Sequence, residues 1–108
     1  MLSFNEYQKK AKTTDKYPSD VALGCYMLGL CSEAGEVAGK MKKIARDNIA
    51  ATHSVKKEFI YELGDCLWYI AMIAAWLGYS MEDVAKYNIE KLADRAQRGK
   101  IGGSGDKR

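Results

Sequence analysis

One proline and one histidine stand among the 108 residues of this chain, and its three cysteines follow no metal-binding spacing. The scarcity of histidine excludes a di-iron carboxylate bundle, which needs Glu-x-x-His motifs; His53 has Ala50 three residues before it. Cys25, Cys31 and Cys66 form neither CxxC nor Cys/His pairs, so they read as small buried apolar residues rather than a disulfide or zinc framework. A long basic run is also missing. The 17 basic and 14 acidic residues are interspersed and leave a formal charge of +3, which does not point to duplex nucleic acid as a partner. The longest apolar run, from Leu67 to Leu77, has about half of the roughly 20 residues that a membrane-spanning helix requires. The start, Met1 to Glu6, lacks a signal-peptide pattern, so a cytoplasmic location with no membrane partner is expected.

What is present is the composition of an ordinary globular protein, 47% hydrophobic and 29% charged, of a length suited to one domain. Ser3 with Glu6 forms a capping-box pattern before a short helix carrying Phe4, Tyr7 and Ala11. The chain turns at Tyr17-Pro18, where Ser19 or Asp20 is expected to cap a second helix running to about Arg46. Thr52 or Ser54 caps a third helix extending to Gly78, with His53 in the connection before it. Ser80 and Asp83 open a fourth helix through Ala96. No strand pattern appears. The expected organisation is one all-α domain over residues 1–98 and a glycine-rich, non-helical tail over 99–108.

Two of these helices contain acidic pairs in otherwise apolar surroundings: Glu33-Ala-Gly-Glu36 in the second and Glu62-Leu-Gly-Asp65 in the third. At a spacing of three, both carboxylates of a pair project from one helix face. A single pair is ordinarily a solvated surface feature, but two pairs on neighbouring apolar helices bring like charges together where burial is costly. Such carboxylates need pairing, hydrogen bonds or a metal, and four converging oxygen donors suit Mg²⁺, with Mn²⁺ as an alternative. Mg²⁺ shares its coordination with substrate phosphates and lowers the pKa of a bound water, so hydrolysis of a nucleoside triphosphate is an expected chemistry. Asn88, Lys91 and Arg95, at helical spacing on the fourth helix, could hold phosphates, against the plainer reading of an exposed stripe paired with Glu90 and Asp94. Tyr69, four residues beyond Asp65, shares its face and is the aromatic best placed for a ligand, whereas Trp68 and Trp76 read as core. The glycines of the second helix, Gly24, Gly29, Gly35 and Gly39, each cost up to ~1 kcal/mol relative to Ala and invite a packing or binding explanation.

The run Gly29-Leu30-Cys31-Ser32-Glu33-Ala34-Gly35-Glu36-Val37, followed by Glu62-Leu63-Gly64-Asp65-Cys66-Leu67-Trp68-Tyr69, resembles the MazG-like nucleoside triphosphate pyrophosphohydrolases. These belong to the all-α NTP pyrophosphatase superfamily, whose hallmark is ExxE followed by ExxD on the next long helix. Asn88-Ile89-Glu90-Lys91-Leu92-Ala93-Asp94-Arg95 resembles the family's downstream N-x-x-K-L-x-x-R segment, and residues 103–108 resemble the tail of its small members. The resemblance implies a four- to five-helix bundle that assembles as a homodimer or homotetramer, with active sites near the subunit interfaces. It implies Mg²⁺ held by Glu33, Glu36, Glu62 and Asp65, and cleavage of a (d)NTP to the monophosphate and pyrophosphate in nucleotide-pool house-cleaning. By the same resemblance Asn88, Lys91 and Arg95 contact the triphosphate and Tyr69 the sugar or base. A different class of function, a non-catalytic helical module binding nucleotide or protein in the same groove, fits the residues without the resemblance.

Overall fold

A computed structural model describes residues 1–108 and consists of four helices without strands: α1 (Phe4–Lys12), α2 (Ala22–Asp47), α3 (His53–Trp76) and α4 (Met81–Gln97). Each boundary has a local cause. The Ser3 side chain accepts from the Glu6 N–H to start α1, and that of Thr52 accepts from Val55 to start α3. Ser80 and Asp83 complete a reciprocal capping box at the start of α4. The expected cap by Ser19 or Asp20 is not formed; Val21 is the N-cap of α2 and makes no side-chain hydrogen bond. α2 ends at Asn48 in the left-handed conformation, which asparagine tolerates better than most residues. α3 stops at Trp76, short of Gly78, whose positive φ of 84° carries the chain into the turn toward α4. His53 is the first residue of α3 rather than part of the connection.

α2 and α3 form the most extensive packing, α1 lies on α3 and α4, and α4 reaches α1 and α3 but not α2. The four helices of one chain therefore do not close into a bundle. The core lies where α1 crosses the pair: Ala11, Ala22, Tyr26, Ala71, Met72 and Met81, with Tyr7, Leu67, Trp68 and Ile70 packed around them. α1 acts as a clasp. Its Gln8 side chain donates to the carbonyls of Ala71 and Tyr79 and accepts from the Met81 N–H, while Asn5 accepts from Glu82. Two of the N–H groups that α4 leaves open at its first turn are thus satisfied by α1.

Only eight residues are fully buried, so long stretches of α2 and α3 present apolar side chains outward, among them Leu28, Ile60 and Leu63. By length and composition alone α3 is apolar enough to cross a membrane, yet it carries Glu58, Glu62 and Asp65 and packs along α2. The cysteines are all free, and none is fully buried: Cys25 and Cys66 are half-buried and Cys31 is exposed, contrary to the expectation of core thiols. Residues 98–108 are non-helical.

Candidate metal centre and its pocket

The side-by-side packing of α2 and α3 brings one residue of the first acidic pair against both residues of the second. Carboxylate oxygens of Glu33, Glu62 and Asp65 all lie within 4.8 Å of one another. Glu36, one turn further along α2, is exposed and lies outside this group of three, although its charge is close enough to act on Glu33. Burial, hydrogen bonding to Glu62 and the negative charges of Asp65, Glu62 and Glu36 push the Glu33 carboxyl above the usual carboxylate range. The same field, added to burial, raises the Cys66 thiol.

Little inside the chain offsets this charge. Lys40 approaches Glu62 Oε1 at 3.8 Å, a long ion pair, and Glu62 Oε2 is buried without a hydrogen-bond partner. A buried carboxylate oxygen left alone is costly, and an all-oxygen donor set with an orphaned member fits a hard divalent cation such as Mg²⁺.

Beside the cluster opens a cavity of about 490 Å³, lined by Thr14, Lys16, Tyr17, Glu33, Asp65, Trp68 and Tyr69. Its size falls in the range of small-molecule sites. The residues after α1 form one wall. Asp15 organises that segment, accepting from the Tyr17 N–H at 3.1 Å and from the Tyr26 hydroxyl. Burial alone would raise the Asp15 carboxyl, but these bonds and nearby Lys12 outweigh it and hold the group below the usual carboxylate value; the Tyr26 phenol is pushed up to about 12 by burial and by Asp15. Trp68 donates its indole N–H to Thr14 Oγ1 at 2.8 Å and to the Ala11 carbonyl at 3.2 Å, fixing its ring at the cavity wall.

Tyr69 lines the cavity next to Asp65 and Trp68. Its hydroxyl lies 2.9 Å from that of Tyr17, and its ring stands edge-on to Trp68 with centroids 5.0 Å apart. The bond to Tyr17, followed by burial and the charges of Tyr17, Glu33 and Asp65, takes the Tyr69 phenol to about 12, so the Tyr69 hydroxyl remains protonated at neutral pH.

The sequence-expected residues therefore separate into two places. Glu33, Glu62, Asp65 and Tyr69 meet at one pocket. Asn88, Lys91 and Arg95 do not line it within the same chain; Asn88 is exposed, and the other two hold the tail. Lys91 Nζ is 3.0 Å from Asp106 Oδ1, and Arg95 donates to the Asp106 carbonyl at 2.6 Å. Arg95 is 5% exposed, so the plainer reading of an exposed stripe fails for this residue. Its partner Asp106 is held below the usual carboxylate value by Lys91 and Arg95. Thr14, Lys16, Tyr17 and Trp68 are pocket residues that sequence reasoning missed; only the aromatic character of Tyr17 and Trp68 offered a signal.

An all-helical fold whose two longest helices set a carboxylate cluster beside a cavity defines a class: all-α proteins with a candidate cation site next to a candidate small-ligand cavity. Within that class the chain belongs to the MazG family, since residues 24–99 match the model described as MazG nucleotide pyrophosphohydrolase domain. It is 40% identical over 109 residues to the Gene 37 protein of Mycobacterium phage L5, covering 94% of this chain and 96% of that protein. It is also 36% identical over 95 residues to Uncharacterized protein YvdC of Bacillus subtilis (strain 168), covering 82% of this chain and 84% of that protein. No solved structure matches the chain.

Proposed function

We propose that this protein is a Mg²⁺-dependent nucleoside triphosphate pyrophosphohydrolase that converts a (d)NTP to the (d)NMP and pyrophosphate. The observation that carries this reading is the convergence of Glu33, Glu62 and Asp65 with Glu62 Oε2 unpartnered, beside an open cavity in a MazG-family chain. Glu33, Glu62 and Asp65 would hold the cation, and in this reading Glu36, whose charge already acts on Glu33, joins them as a fourth ligand when the metal is bound. Bound Mg²⁺ supplies charge neutralisation for phosphate oxygens and a water of lowered pKa. The chain's own residues do the rest: Tyr17, Trp68 and Tyr69 offer aromatic faces and two phenol donors to a sugar or base, and Lys16 adds a cation at the same cavity.

The triphosphate needs further donors, and in this reading a second copy of the chain supplies them, Lys91 and Arg95 as cations and Asn88 as a neutral amide. Two facts support a homodimer or homotetramer. α4 does not reach α2 within one chain, and Met27, Leu28, Ile60 and Leu63 leave apolar surface on α2 and α3 exposed. The physiological role in this reading is cytoplasmic house-cleaning of the nucleotide pool.

The test is a panel of NTPs and dNTPs incubated with the purified protein and Mg²⁺. Monophosphate and pyrophosphate from at least one of them is expected. Intact nucleotides throughout, with binding retained, would replace this reading by that of a non-catalytic binding module.

A further inference from the structure

Five glycines lie inside α2 and α3, and four of them have open space where a side chain would stand: nothing lies within 4 Å of a Cβ built at Gly24, Gly35, Gly39 or Gly64. Gly29 is different. A Cβ there would enter the ring of Tyr69, within 2.8 Å of Cδ1 and nearer still to Cε1 and Cζ. Carbon atoms in good contact stay about 3.5–4.0 Å apart, so the ring would have to move. The clash is with the hydroxyl-bearing end of the ring, the end that reaches Tyr17.

The ring has little room to yield. Tyr69 is held edge-on by Trp68, whose indole is anchored on Thr14 and Ala11, and its hydroxyl is engaged by Tyr17. Gly29 also lies one helical turn before Glu33, so on α2 the acid and the bare backbone patch share a face. From this we infer that Gly29 is a positioning residue: its missing side chain lets Tyr69 lie against α2 and line the cavity beside the acid cluster. Gly29 acts through Tyr69 and touches no reacting group. The inference deepens the proposed function, since it rests on the cavity being where nucleotide binds, and its consequence is for substrate binding rather than for chemistry at the acids.

The experiment compares Gly29→Ala, Tyr69→Ala, the double variant and Gly24→Ala as an open-space control. Near-UV circular dichroism reports the Trp68–Tyr69 pair, and KM and kcat are measured with whichever nucleotide the wild type turns over. Gly24→Ala is expected to change neither. Gly29→Ala is expected to alter the aromatic signal and raise KM about tenfold, the size of one lost hydrogen bond, with kcat within about twofold. In the Tyr69→Ala background the same substitution is expected to add nothing, because the ring it displaces is gone. An unchanged aromatic signal in Gly29→Ala, or an equal effect in both backgrounds, overturns the inference. If Gly29→Ala alone fails to fold, recovery of folding in the double variant supports the inference, and failure of both overturns it. A wild type that turns over no nucleotide defeats the proposed function but not this arm, because the near-UV comparison still decides whether Gly29 seats Tyr69.

Discussion

Between α2 and α3, three carboxylates face one another with one lysine at the edge, whereas around the end of α4 Lys91, Arg95 and Arg98 each meet an anion. Both regions concentrate charge at helical spacing. In the α4 region the charges neutralise one another and tie the tail to the helix, with Arg108 adding bonds to the carbonyls of Lys100, Ile101, Gly102 and Gly105. In the α2–α3 seam they remain uncompensated, and a buried oxygen of Glu62 has no partner. Charge that a fold leaves unpaired is tolerated where a ligand completes it, so the contrast sets a candidate ligand site in the seam against a region whose charges are already paired within the chain.

The contrast breaks most sharply by mutation of the seam. Glu62→Ala or Asp65→Ala should lower turnover by at least about a hundredfold, a loss already typical of residues that merely support metal ligands. Thermal melts of the metal-free variants should show no loss of stability, because each change removes a charge from a repelling group. A fall in melting temperature equal to that of a core variant would place these acids in the structural frame instead.

A true core position should behave in the opposite way. Met72, fully buried where α1 crosses α3, should cost about 2–5 kcal/mol on replacement by Ala, as measured by chemical denaturation. The loss of activity should then follow the loss of folded protein.

Asp15 links the pocket wall to the core, and its effect should appear with pH. Its folded-state pKa lies below the usual value of 3.8, so its contribution is present above that pH and is lost as the pH falls through the folded value. The wild type should therefore lose more stability than Asp15→Asn on acidification below about pH 4. Parallel acid unfolding curves for the two would contradict this.

Smaller effects belong to the α4 region. Ser80→Ala removes one half of its capping box and should destabilise by about 1 kcal/mol. Asp106→Asn should leave the fold intact and loosen only the tail, seen as faster trimming of residues 99–108 by carboxypeptidase, with the difference shrinking in high salt.

Much of this architecture was legible in the residues because helix signals are local. Ser3, Thr52 and Ser80 mark their helix starts through hydrogen bonds to groups three residues away, and the spacing of Glu62 and Asp65 puts both on one face of α3. Val21 shows where this local logic ends: the N-cap of α2 falls one residue beyond Asp20, the later of the two candidate caps, and makes no side-chain hydrogen bond. The seam itself required a second helix. Nothing within α2 distinguishes Glu33, which enters the cluster, from Glu36, which stays exposed outside it; the line of contact with α3 makes that choice.

By itself, then, the sequence determined the number of helices, their ends within a few residues, and the acidic pairs on two of them, since each depends on groups within a turn or two of one another. Tertiary structure alone decided that Tyr17 and Tyr69, 52 residues apart, share a hydrogen bond, that Arg95 is buried beneath the tail, and that Gly29 gives Tyr69 its seat. Those outcomes depend on how helices approach one another in space, and that approach is set by the packing of whole faces rather than by the periodicity of any one of them.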